Sequence, residues 1–106
     1  MTYDDQNIFA RIIRGELPAI KVYEDDRVLA FMDIMPQAEG HTLVIPKSPA
    51  VTLLDLDPAE GAYTIQIVQN VAKAMEKALD VKGIVLMQLS GTSAGQTVPH
   101  VHFHLI

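Results

Sequence analysis

The chain has 106 residues, 49% hydrophobic and 20% charged: enough apolar material for one folded domain over 1–106, too little charge for a disordered chain. A formal net charge of −5 argues against a general nucleic-acid surface, which needs clustered Lys and Arg, but leaves room for one phosphate held by backbone N–H groups. The absence of cysteine excludes disulfides, thiolate zinc sites and a cysteine nucleophile.

The first residues, Met1-Thr2-Tyr3-Asp4-Asp5, lack the basic-then-apolar pattern of a secretion signal, and no apolar run approaches a membrane span. A soluble cytoplasmic protein without a membrane or nucleic-acid partner is expected. Asn7 suits the N-cap of a short helix carrying Ile8, Phe9, Ile12 and Ile13 on one side, and Gly15 is a natural stop. Residues 20–24 alternate as a strand does, Asp25-Asp26 makes a turn, and residues 28–32 form a second strand. After the interruption at Pro36, Gly40 introduces a third strand over 41–45, closed by Pro46.

Asp57-Pro58-Ala59-Glu60 is a helix start: a capping Asp, Pro at the first helical position, and Glu three residues after the cap. The helix that follows carries one stripe of Ile65, Val68, Ala72, Met75 and Leu79, and beside it a second of Ile67, Val71, Ala74 and Ala78. Together they are wider than one core contact needs, so one side is expected on a sheet and the other on a second subunit. Residues 84–89 read as a fourth strand, 90–97 as a loop and 100–106 as a fifth strand. Short links between strands favour an α+β fold, an antiparallel sheet with helices on it.

All four histidines lie at 41, 100, 102 and 104. Alternate residues of a strand share a face, so His100, His102 and His104 would form a row, with Val101, Phe103 and Leu105 anchoring the opposite face. Three readings compete. A zinc site suits two histidines at i, i+2, but the outer pair of three stands about 13 Å apart at the rise of a strand. Hydrogen-bonded core histidines are the second. Catalysis is the third: a neutral imidazole attacks phosphorus directly, splitting one displacement into two, while its neighbours supply protons and charge. The upstream loop, Gly91-Thr92-Ser93-Ala94-Gly95-Gln96-Thr97, favours the third, since glycines let backbone N–H groups form an anion-binding concavity.

With these residues in view, the chain resembles the histidine triad superfamily, whose signature alternates three histidines with apolar residues and ends on two of them; His100 to Ile106 fits every position. Further segments resemble its Hint branch: the Ile8-Phe9 helix, Gly15-Glu16-Leu17-Pro18-Ala19, Glu24-Asp25-Asp26, Phe31-Met32-Asp33-Ile34, Pro36-Gln37-Ala38 and Gly40-His41-Thr42-Leu43-Val44-Ile45-Pro46-Lys47. The resemblance implies a five-stranded antiparallel sheet with two helices, extended across a homodimer, and no cofactor. It implies hydrolysis of purine nucleoside 5′-phosphoramidates through a nucleotidyl-histidine on His102. His100 would orient that nucleophile, with His104 and His41 completing the set. Asp33 would bind the ribose hydroxyls, Ile8, Phe9, Ile12, Phe31, Ile34 and Leu43 the base, and Gln96 and Thr97 the α-phosphate.

Two departures stand out. Family members carry an asparagine just before the loop glycine, where this chain has Leu89-Ser90-Gly91, leaving Ser90 as a shorter donor. Family members also continue past the position of Ile106. A dinucleoside polyphosphate hydrolase and a nucleotide-binding scaffold dimer with little turnover stand as alternative functions.

Overall fold

Asn7 begins the first helix because its side chain accepts a hydrogen bond from the Ala10 N–H at 2.9 Å, satisfying a donor that the first turn leaves open. The computed structural model describes residues 2–34, 36 and 38–106; Gln37, within the Pro36-Gln37-Ala38 segment, lies outside the described residues. Helix α1 spans Ile8–Ile13, followed by β1 (Lys21–Glu24), β2 (Val28–Met32) and β3 (Thr42–Pro46). Helix α2 spans Pro58–Leu79, then come β4 (Leu86–Met87), a single 3-10 turn at Thr92–Ala94 and β5 (Phe103–Leu105).

The five strands form one antiparallel sheet in the order β1-β2-β3-β5-β4, so the expected fold class holds. Strand alternation divides it into two cores. Val28, Ala30, Val44, Phe103 and Leu105 pack toward α2, against Ile67, Val68, Val71 and Met75. Leu29, Phe31, Leu43 and Ile45 face the other way, against Phe9 and Ile12 of α1.

Two strands are shorter than the sequence suggests. Beyond β4, Val85 exchanges both backbone bonds with Ile106 at 2.8 and 2.9 Å. The last strand begins three residues late. Pro99 has no N–H to offer a ladder, and the next two residues bond elsewhere: His100 N–H to Val98 O, and Val101 N–H to Ala50 O. The row of three histidines is therefore corrected: only His104 lies within the paired strand, and His100 lies in the segment that leads into it.

Helix α2 starts on Asp57, whose side chain accepts from the Ala59 N–H, with Pro58 at the first position, as expected. It buries Thr64, Ile67, Val68, Val71 and Met75, a face drawn from both apolar stripes, while Ile65, Ala74 and Ala78 stay exposed. Gly40 turns the chain into β3 at φ +81°, close against the end of this helix: a Cβ there would lie 2.3 Å from Leu79 Cδ1. Among the described residues, no helix is long and apolar enough to cross a membrane.

Candidate functional site

Between α1 and its face of the sheet lies a cavity of about 700 Å³, lined mainly by apolar side chains. Ile8, Phe9 and Ile12 enter it from α1, Phe31 from β2 and Leu43 from β3; Asp33, Ile34, His41, His102, His104 and Thr97 complete the expected part of its wall. Ile34 is among the most exposed apolar residues, at 89%, and stands at the mouth. Leu17, Pro18, Ala19, Met32, Met87, Leu89, Gly95 and Val98 also line it and were not anticipated. Strand alternation could have pointed to Met87 and Leu89; nothing local marks Val98.

Three expected residues lie elsewhere. His100 is fully buried and is absent from the cavity wall. Gln96, expected at a phosphate, is buried and holds the loop together. Its Oε1 accepts from the Gly91 N–H at 2.7 Å, and its Nε2 donates to Val51 O at 2.6 Å and Val98 O at 2.9 Å. Ser90 also turns away from the cavity: its hydroxyl donates to Gln88 Oε1 at 2.8 Å and accepts from the Leu53 N–H at 3.2 Å. Part of the loop backbone is similarly occupied: the N–H groups of Ala94, Gly95 and Gln96 donate to Gly91 O or Thr92 O. These donors close the 3-10 turn and are not available to an anion; of residues 91–97, Gly95 and Thr97 line the cavity.

The protonation of two histidines follows from their partners. Nδ1 of His102 lies 2.6 Å from the carbonyl oxygen of His100. A carbonyl only accepts, so Nδ1 carries the hydrogen and the neutral ring keeps its lone pair on Nε2. Burial pushes the His102 imidazole below its ordinary value, outweighing the bond to His100 O and the attraction of Asp33. The ring is therefore neutral near pH 7. Phe9 stands edge-on against it, with ring centroids 4.9 Å apart and planes at 90°.

His100 is pinned by the same logic. Its Nε2 donates to Pro46 O at 2.7 Å, leaving Nδ1 to accept from the Tyr3 hydroxyl at 2.6 Å. Burial likewise lowers its pKa. Sequence reading missed Tyr3 altogether, for it lies before the first helix and no spacing links it to a histidine 97 residues away.

On the other side of His102, His104 Nδ1 lies 3.0 Å from His41 Nε2, which in turn lies 3.4 Å from Asp33 Oδ2. One of the two ring nitrogens must carry the shared hydrogen. Burial, then the neighbouring His102 and His41, pushes His104 down to about 4, with Asp33 opposing. Asp33, His41 and His104 each bring one ligand atom within 4.8 Å of the others, an oxygen–nitrogen set able to hold a divalent cation. That set is not the strand row. Chemically, the site offers one uncharged imidazole with a free nitrogen in an apolar cleft, beside a carboxylate and an imidazole pair.

Known proteins share this arrangement of chain. The HIT domain family model matches residues 14–106. A solved structure of a Hit-like protein from Bartonella henselae, described as involved in cell-cycle regulation, superposes with a TM-score of 0.97 at 54% identity, covering 99% of this chain and 81% of that one. The structure of a histidine triad nucleotide-binding protein from Candida albicans superposes with a TM-score of 0.88 at 35% identity, covering 95% of this chain and 73% of that one. A relative from Arabidopsis thaliana named Adenylylsulfatase HINT3 is 37% identical over 105 residues, covering 99% of this chain and 53% of its own length. On the family match and these likenesses together, the chain belongs to the HIT family, whose members are commonly nucleotide-binding hydrolases.

Proposed function

We propose that the protein hydrolyses purine nucleoside 5′-phosphoramidates through a covalent intermediate on His102. What carries the reading is the 2.6 Å contact between His102 Nδ1 and His100 O, which leaves Nε2 unprotonated on the wall of the cavity. In the first step Nε2 attacks phosphorus and the bond from phosphorus to the amine breaks; the amine leaves with a proton taken up from the site. Water then attacks the nucleotidyl-histidine, returns that proton, and releases the nucleoside monophosphate. The base lies among Ile8, Phe9, Ile12, Phe31, Ile34 and Leu43, with Asp33 at the ribose hydroxyls. Thr97 and the His41–His104 pair face the phosphate. Gln96 and Ser90 contribute by holding the loop.

The test is His102→Ala assayed on an adenosine 5′-phosphoramidate. Turnover is expected to fall on the order of a thousandfold or more, as for other lost nucleophiles. A variant that keeps most of its activity eliminates the covalent route. The HINT3 relative's name favours one second reading, in which the same histidine displaces sulfate from an adenylyl sulfate. Comparing kcat/KM on amine, sulfate and dinucleoside polyphosphate substrates ranks these leaving groups.

We further propose a cytoplasmic homodimer. Support comes from the exposed Ile65, Ala74 and Ala78 on α2, and from the apolar edge of β4, where Val85 and Leu86 are about half exposed. Sedimentation at micromolar concentration should give twice the mass of 11.7 kDa; a monomer there removes the proposal.

A further inference from the structure

Tyr3 lies ahead of residues 14–106, the part of the chain the family model matches, and outside the cavity wall. Its hydroxyl nonetheless meets Nδ1 of the fully buried His100. His100 Nε2 is committed to Pro46 O, so the neutral ring offers only a lone pair at Nδ1, and Tyr3 is the donor that meets it at 2.6 Å. The phenol and imidazole rings stand edge to face at 5.6 Å. The contact is partly buried, and burial raises the Tyr3 pKa, with Asn7 beside it opposing, so the phenol keeps its hydrogen.

The consequence passes through the main chain. His100 is held at its backbone N–H by Val98 O and at both ring nitrogens by Pro46 and Tyr3. Its carbonyl oxygen is the acceptor that puts the hydrogen of His102 on Nδ1. Without the Tyr3 hydroxyl, the His100 ring keeps one anchor, Nε2 on Pro46 O, about which it can pivot and tilt its peptide, and the acceptor for His102 moves with it.

We propose that Tyr3 is a positioning residue: by donating to His100 Nδ1 it locks His100, and through the His100 carbonyl it holds His102 with Nε2 unprotonated. The proposal rests on the nucleophile reading above for its effect on turnover, but not for its structural part.

The experiment compares the wild type with Tyr3→Phe by two independent measurements. The first is nitrogen NMR of the labelled imidazoles at neutral pH, which requires no substrate. In the wild type, His102 should carry its hydrogen on Nδ1 and His100 on Nε2. In the variant, the His100 Nδ1 resonance should shift toward that of an unbonded lone pair, and His102 should become a mixture of tautomers. The second is hydrolysis of an adenosine phosphoramidate. Here kcat should fall about tenfold, as when groups that orient a functional histidine are lost, with KM unchanged because Tyr3 does not line the cavity.

An unchanged pair of tautomers overturns the proposal, whatever the activity. Shifted tautomers with unchanged kcat overturn the positioning role while leaving the nucleophile reading standing; failure of that reading shows separately, as activity retained in His102→Ala. Should Tyr3→Phe not fold, 3-fluorotyrosine placed at position 3 keeps ring and hydroxyl and strengthens the donor. It should move His100 Nδ1 further from the unbonded position, and no movement overturns the proposal.

Discussion

The ring of Phe9 meets that of His102 at a right angle, centroids 4.9 Å apart, and the same Phe9 ring stands edge-to-face on Phe31 at 5.4 Å. One side chain of the first helix thus braces the central imidazole and closes the apolar core beneath the cavity. Phe9→Ala should lower stability by about 3 kcal/mol, typical of a buried phenylalanine, and should reduce kcat through the loosened His102 ring. Phe9→Leu keeps most of the volume but not the ring, so its loss of kcat should exceed its loss of stability. Urea denaturation and steady-state kinetics on the two variants separate the effects.

Gln96 gives a second test, because its structural role can be read by chemistry. Two of its three bonds are donations to Val51 O and Val98 O, and one is an acceptance from Gly91 N–H. Gln96→Glu retains the acceptor and loses both donations, placing a carboxylate against two carbonyls. It should destabilise more than Gln96→Ala, for which about 2 kcal/mol is expected from buried groups left unpaired. Thermal unfolding of both variants checks the order; equal stabilities would refute the assignment.

The histidines set a pH dependence whose sign is fixed. Burial holds His102 below its ordinary 6.5, so the acid limb of kcat/KM should lie below that value and the rate should already be level at pH 7. For stability, His104 is the group to follow, pushed down to about 4. Between 6.5 and 4 the unfolded chain takes up a proton that the folded site refuses. Its contribution is therefore complete above 6.5, declines as pH falls through this window, and levels off below about 4. Urea midpoints across the window should fall with pH, and His104→Asn should flatten the slope.

Gly40 permits a prediction about backbone. At φ +81°, with Leu79 Cδ1 where a Cβ would go, Gly40→Ala suffers both strain and collision. A loss of about 2 kcal/mol is expected from the strain of the left-handed conformation and the displaced side chain. Because the obstructing atom ends a flexible side chain, adding Leu79→Ala should relieve the collision, and the double variant should lose less than the two single losses added. Thermal melts of the set measure the coupling.

Much of this was legible in residues that carry their own punctuation. Asn7 and Asp57 mark both helix starts, Pro58 sits at the first helical position, and alternation in β2 and β3 assigns each side chain to its core. The cavity's apolar wall came from the family resemblance, since periodicity alone does not separate a pocket wall from core at Phe31 and Leu43. The errors share a physical origin. A Gly, Ser and Thr loop looks like a phosphate cradle, but a turn must first satisfy its own donors, and here Gln96 and the 3-10 bonds absorb them. The histidine row followed from strand period alone, whereas Pro99 delays the ladder and sends His100 into the core. Tyr3 was invisible because its partner is distant along the chain and close only once the sheet has formed.

The division of the sheet into two cores has a consequence for how such a chain can change. From His102 into β5, Phe103 and Leu105 belong to the layer under α2, while His102 and His104 line the cleft under α1. Core and cleft side chains therefore alternate from His102 to Leu105, a segment whose last three residues pair as β5. The α1 wall can be re-carved while the α2 layer keeps the imidazoles at a constant height. The reverse does not hold: a single insertion in β5 would exchange the two sets, burying aromatic bulk in the cleft and two polar rings in the main core. The segment admits a new cleft by substitution, and forbids almost any change of length.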